Sequence, residues 1–233
     1  VHPITASFDA AYHLLETLAH ILFPFAGSAS AAAAIVIVTL VLRALLIPVG
    51  VRQIRADINR RRIQPQLAAL QKKFAKKPEK LSIEMRELYA REKVSPFAGF
   101  LPMLIQLPLV SVVYAVFTHA QIAGESNWLL SQSLGGAVLG HATWASAATG
   151  VAGVLVLLGI LVATVTAALL SRRQSMALAT TRTRLTDALS FIPLVTVVFA
   201  LIAPLAAGLY LAVSGLWGVV ERGIVRKRLT ARA

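Results

Sequence analysis

The 233-residue chain contains no cysteine, so it can hold no disulfide framework, thiol nucleophile, lipidated cysteine or cysteine metal site. Charge is also scarce. Asp, Glu, Lys and Arg together make up 14% of the residues, against roughly 25% in an ordinary soluble domain. Residues 1–25 contain no Lys or Arg, so the start of the chain lacks the positive region of a secretory signal and reads as mature sequence. There is no His-Glu-x-x-His pattern and no carboxylate pair within a long apolar run, which argues against an intramembrane protease. What is abundant is apolar: hydrophobic residues make up 57% of the chain, and a bilayer is the solvent that composition fits. The few charges lean one way, with 23 Lys and Arg against 10 Asp and Glu, a net charge of +13.

Crossing about 30 Å of hydrocarbon takes about 20 apolar residues in a helix. Residues 28–51 form one such run, interrupted only by Arg43, while 94–118 and 150–171 contain no charge. The 33 uncharged residues 188–220 would make a single helix of about 50 Å, too long for a bilayer. Pro204 and Gly208 divide that run, since proline ends a helix behind it and glycine accepts turn geometry. Two short spans result, 188–203 and 204–220, and the count is five.

The basic residues then give the orientation. Residues 52–93 hold 13 of the 23 Lys and Arg, 172–187 hold four and 221–233 hold five, with Arg43 the last. Residues 1–27, 119–149 and the turn at Pro204 hold none. The positive-inside rule puts the N-terminus outside the cell membrane and the C-terminus in the cytoplasm, and five crossings give the same parity.

Outside the spans the pattern is more local. Phe8, Tyr12, Leu15, Leu18, Leu22 and Phe25 recur at three- and four-residue steps, which predicts an amphipathic helix over 1–27 on the outer surface. Residues 119–149 carry Trp128 and Trp144 among Gly, Ser and Asn, suited to an interfacial loop with indoles at headgroup level. Residues 52–93 read as two cytoplasmic helices, with apolar stripes Ile63, Leu67, Leu70, Phe74 and Leu81, Met85, Leu88 that can face each other in an antiparallel hairpin. Their 13 basic and five acidic residues face water and headgroups, Pro65 falls in a first turn, and residues 76–79 make the connection. Residues 172–187 form a cytoplasmic loop and 221–233 a basic tail, which either touches anionic lipid or RNA through charge or only fixes topology.

Arg43 is the residue with the most to say. It lies nine positions, or about 13 Å of helical rise, before Arg52 at the cytoplasmic edge, which places it near mid-bilayer. A central arginine costs at least about 2.5–3.5 kcal/mol on insertion scales, so it normally faces protein or a wet cavity. The plainer reading is a side chain snorkelling to the cytoplasmic headgroups. No span offers Asp or Glu to neutralise it, so water must reach the guanidinium or an anionic partner must visit. Thr39, one turn earlier, shares its face, unless its hydroxyl bonds back to its own helix.

The order of these features resembles the YidC/Oxa family of membrane protein insertases over nearly the whole chain. It runs from Thr39, Arg43 and Pro48, through Gln53 and Gln64-Pro-Gln-Leu, to Pro102, Gln106, Pro108 and Tyr114, and closes with Phe191-Ile-Pro193, Pro204, Tyr210 and Ser214. The resemblance implies an all-α integral membrane protein: five transmembrane helices around a cytoplasm-open hydrophilic groove, plus a cytoplasmic helical hairpin and an outer amphipathic helix. It implies that the groove takes the polar or acidic flank of a nascent membrane protein while the apolar segment passes sideways into lipid, with no covalent step and no cofactor. Arg43 would be the groove's positive centre. Thr39, Gln106, Thr164, Thr166 and Ser214 are candidates for the rest of its polar lining, with a helix–helix hydrogen bond as the competing role. Leu107 and Val110 on span two, with Phe199 and Ile202 on span four, are carried over by motif as a hydrophobic slide; ordinary lipid-facing or packing residues are the competing reading.

The partners implied are nascent membrane proteins and the lipid bilayer. The Sec translocon and, through the basic tail, the ribosome are further candidates. A small polytopic transporter or channel would also place an arginine in a wet cavity, but the odd span count, the lack of an internal repeat and the lack of an acidic relay argue against it. A folding chaperone without insertion activity stays open. The five histidines fall outside the spans or at their outer edge, and no metal site is expected from them.

Overall fold

Helix α1 (Pro3–Ala26) meets a short 3-10 turn (Gly27–Ala29) and then α2 (Ser30–Leu45) in the computed structural model, which describes residues 3–95, 115–117, 119, 121–122, 125–177, 187–188 and 190–231. Most of the second predicted span, with Gln106, Leu107 and Val110, lies outside the described residues. Gly27 turns the chain at φ +53°, a conformation that a Cβ would disfavour. α1 packs on α2 through Tyr12, Leu15 and Ala19, which join Ala31, Ala34 and Ile35 in one buried cluster. Leu18 and Leu22 flank that face, whereas Phe25 is 88% exposed because the chain is about to turn. The Trp128 N–H donates to Tyr12 Oη at 3.1 Å, and the His20 ring stacks on Trp128 at 5.0 Å. Trp128 is thus packed against α1, while Trp144 is exposed.

α3 (Ile47–Lys73) follows after Leu46, with Pro48 in its first turn, where a missing N–H leaves no bond unmade. The first hairpin helix therefore starts inside the apolar run 28–51. Pro65 consequently sits in the interior of α3 and not in a first turn, because the helix continues from the run instead of restarting. α4 (Pro78–Arg91) packs back on α3, burying Ile63, Leu67, Leu88 and Val94 with Leu70, Met85 and Tyr89 around them. Arg62 pairs with Glu92 across the hairpin at 3.0 Å. α4 ends in a Schellman arrangement: the Val94 N–H reaches the Tyr89 carbonyl (3.0 Å), the Lys93 N–H reaches that of Ala90 (3.2 Å), and Lys93 takes φ +53°.

Residues 121–122 and 125–149 contain two minimal antiparallel pairs, β1 (Gln121–Ile122) with β2 (Glu125–Ser126) and β3 (Ser133–Leu134) with β4 (Ala137–Val138), separated by the single turn α5 (Trp128–Ser131). A 3-10 segment (Thr143–Thr149) leads into α6 (Val151–Ala177). α7 (Ile192–Ile202) and α8 (Leu205–Thr230) meet at Pro204. α8 packs against α2, α3, α6 and α7, and so forms the centre of the described bundle. Three stretches of the described residues are long and apolar enough to cross a bilayer: Asp9–Leu45, Val151–Ala177 and Leu205–Leu229. The protein is an all-α membrane protein; its only described strands are those two-residue pairs in one loop.

The loop end of the bundle is closed by backbone bonds. The Thr143 N–H and hydroxyl both donate to the Ala203 carbonyl (2.9 and 3.1 Å), the Leu205 N–H to His141 (2.8 Å) and the Ala206 N–H to Leu139 (3.0 Å). Beneath this seal Ile35, Leu129, Leu139 and Leu205 are fully buried, so this half of the bundle is a packed apolar core.

Candidate functional site

Towards the hairpin end the packing opens into a cavity of about 490 Å³. Its walls are Arg43 of α2, Gln53 of α3, Thr164, Ala167, Ala168 and Ser171 of α6, Pro193 and Thr196 of α7, and one face of α8. Tyr210, Ser214, Gly218 and Arg222 follow each other at four-residue steps, which lines them along that face. Arg43 stands about 20 Å of rise below Ser30, and Thr164 about 20 Å below Val151, so both contribute from the depth of their helices. Small residues at Ala167, Ala168, Gly215 and Gly218 leave the space that larger side chains would fill; a Cβ on Gly215 would come within 3.1 Å of that of Ala167.

Three polar atoms in this cavity are buried without a hydrogen-bond partner among the described residues: Arg43 Nε, Tyr210 Oη and Ser214 Oγ. Leaving one such group unpaired costs about 1–3 kcal/mol, so three together in a cavity large enough for water are built to be met by water or by the polar groups of a guest. No Asp or Glu lines the cavity among the described residues. Arg222 is held at its edge, Nη2 donating to Ser171 Oγ (2.8 Å) and Nε to Gln174 Oε1 (3.5 Å), while Gln174 Nε2 donates to the Val219 carbonyl (3.1 Å). Glu221, beside Arg222 in sequence, faces α3: it accepts from the Trp217 indole (3.0 Å) and lies against Gly50, where any Cβ would collide with it. The site is thus cationic and hydroxyl-lined, with no nucleophile–base pair among the described residues, and it suits reversible binding of anionic or polar groups. No cluster of metal-ligating side chains occurs among the described residues.

Residues 22–232 match the model of a family described as 60Kd inner membrane protein. The chain belongs to this family, the YidC/Oxa family. The membrane protein insertase YidC of Clostridium perfringens is 37% identical over 116 residues, covering 50% of this chain and 49% of that protein. The proteins of the same name from Clostridium tetani (36% over 94 residues, 40% and 43%) and Fusobacterium nucleatum (33% over 95 residues, 41% and 46%) are also similar. The chain spans about half the length, or less, of the curated relatives it matches.

Within this YidC/Oxa chain the cavity brings together Arg43, Thr164 and Ser214 of the residues singled out from sequence. The Thr164 hydroxyl is already engaged by its own helix, at the carbonyls of Ile160 (2.7 Å) and Leu161 (3.1 Å). Thr39 is buried and donates to the Ile35 carbonyl at 2.6 Å, and it does not line the cavity. Thr166 is exposed; two residues on from Thr164, it points to the other side of α6. Phe199 and Ile202 are 62% and 60% exposed and lie with Val195 and Val198 on an open apolar flank of α7. Gln106, Leu107 and Val110 lie outside the described residues. Gln53, Ser171, Thr196, Tyr210 and Arg222 line the cavity without having been singled out for it. The four-residue progression from Tyr210 to Arg222 was the signal for the last two.

Proposed function

We propose that the chain is a membrane protein insertase that lodges the polar or acidic flank of a nascent membrane protein in this cavity while the client's apolar segment moves into lipid. The observation that carries the reading is Arg43: a guanidinium whose Nε is buried and unpartnered, in a cavity with no lining carboxylate among the described residues. A client carboxylate entering a low-dielectric slab meets a barrier of several kcal/mol, and a fixed cation in a solvated pocket offsets part of it. A permanent internal carboxylate would cancel that attraction. Binding to Arg43, Tyr210 and Ser214 shortens the flank's path through hydrocarbon. The exposed side chains of Phe199 and Ile202, together with Leu107 and Val110 of the second span expected from sequence, then serve the apolar segment as a slide. Thr164 is a secondary member of the polar wall in this reading and Gln106 a further candidate for it, whereas Thr39 and Thr166, which face away from the cavity, drop out.

The basic hairpin and the end of α8 lie on the cytoplasmic side, the 121–149 loop lies outside, and the protein works in the plasma membrane. Nascent chains and the bilayer are its partners, with the ribosome and the Sec translocon approaching from the basic side. No covalent step or cofactor is involved.

The test uses the purified chain in vesicles and a single-spanning client with an acidic translocated tail, read by protease protection. Arg43→Glu is expected to lower insertion about tenfold, equivalent to about 1.4 kcal/mol, and changing the tail from Asp to Lys is expected to restore part of the loss. Equal insertion by Arg43→Glu and the unaltered chain would refute the role of Arg43. Solute flux without client insertion would replace the insertase by a transporter.

A further inference from the structure

The cavity contains a second guanidinium that is positioned but has no carboxylate bound to it among the described residues. Arg222 lies eight residues beyond Ser214 on α8, and its side chain folds back one turn over Gly218, where a Cβ would stand 3.3 Å from Nη1. The two side chains that hold it, Ser171 and Gln174, are neutral. Glu221 is turned towards Gly50 and Trp217, and Asp57 is taken by Arg61 and Arg226. Arg43 lines the same cavity, so its walls carry two arginine charges. Two like charges facing one cavity disfavour the empty state, and anionic groups entering beside both relieve that repulsion.

We infer that Arg222 is a second client-reading cation, so that the cavity accepts two carboxylates of one acidic flank, one at Arg43 and one at Arg222. This rests on the insertase reading and gives it a specificity: flanks with two acidic residues are preferred over flanks with one. Gly218 lets the guanidinium lie close along its own helix, since a methyl group there would shift Nη1 by a few tenths of an ångström.

The experiment compares the unaltered chain, Arg222→Gln and Arg222→Lys in vesicles, with single-spanning clients whose translocated flank carries no, one or two Asp. The quantity read is the ratio of insertion with two Asp to insertion with one. In the unaltered chain the second Asp is expected to raise insertion up to about fivefold, the size of a part-solvated charge pair. The ratio is expected to fall close to one in Arg222→Gln, which keeps hydrogen-bonding capacity towards Ser171, and to be largely kept in Arg222→Lys. An unchanged ratio in Arg222→Gln overturns the inference. An equal loss for all three clients also overturns it and makes Arg222 a clamp between α6 and α8. A defect seen only in vesicles with anionic lipid, whatever the client, overturns it in favour of lipid headgroup binding. Failure of the insertase reading looks different, since the unaltered chain would then insert no client beyond empty vesicles, and the inference falls with it.

Discussion

At Gly208 there is no room for a side chain: a Cβ would stand 2.5 Å from Thr143 Oγ1 and 3.0 Å from the Ala200 carbonyl. The same threonine closes the loop end through the Ala203 carbonyl, so crowding here strains the seal and the α7–α8 contact together. Gly208→Ala is expected to lower stability by about 1–3 kcal/mol, as overpacking does, read as a drop in the thermal unfolding midpoint in detergent. A midpoint equal to that of the parent chain would show that the Thr143 side chain simply swings aside. Single residues also mark how far the sequence could be read. Arg43 stood out because a charge alone in an apolar run has few explanations. Thr39 and Thr164 were ambiguous, since a hydroxyl on a helix can turn to its own backbone or to a neighbour, and packing alone decides between them. Arg222 was hidden by its company: next to Arg226, Lys227 and Arg228 it read as part of a topology signal, and only its partners separate it from Arg226 one turn on, which pairs with Asp57 while Arg222 reaches Ser171.

Among the elements, the hairpin of α3 and α4 is the most self-contained, with its own apolar cluster apart from the main core. Leu88, 3% exposed, is its central contact from α4. Leu88→Ala is expected to loosen α4 from α3 at a cost of about 2–5 kcal/mol. Hydrogen exchange should then accelerate in 78–91 while 205–216 stay protected; equal acceleration in both would show that the hairpin and the bundle unfold as one. The stripes at Ile63, Leu67 and Leu88 were visible at three- and four-residue spacing, because a water-facing hairpin must segregate its apolar residues. The start of α3 was harder to see. An apolar run and a basic helix can follow each other along one helical stretch, so a hydropathy boundary near 51 does not coincide with the helix boundary at Leu46.

For the molecule as a whole, the all-α class followed from runs without charge, since a bilayer leaves helices as the economical way to satisfy the backbone of a chain with no strand alternation. The cavity's position was less legible. It depends on α2, α6 and α8 all running from the loop end towards the hairpin end, so that their first halves fill a core and their second halves diverge around small residues. The shared direction is the one the charge bias gives to the odd-numbered spans, but the divergence around small residues comes from long-range packing, which no local pattern records.

The backbone bonds that tie residues 139–143 to 203–206 also set how the bundle can move. They make the Pro204 corner a fixed pivot and α8 a rod of about 39 Å swinging from it. A swing of about 10° would carry the far tip roughly 7 Å while the corner stays still, so the hollow would widen like a hinged fan, from the basic end only. Spin labels on this cysteine-free chain should show broad distance distributions between 177 and 229 and narrow ones between 151 and 206. Equal breadth at both ends would mean that the corner is no pivot.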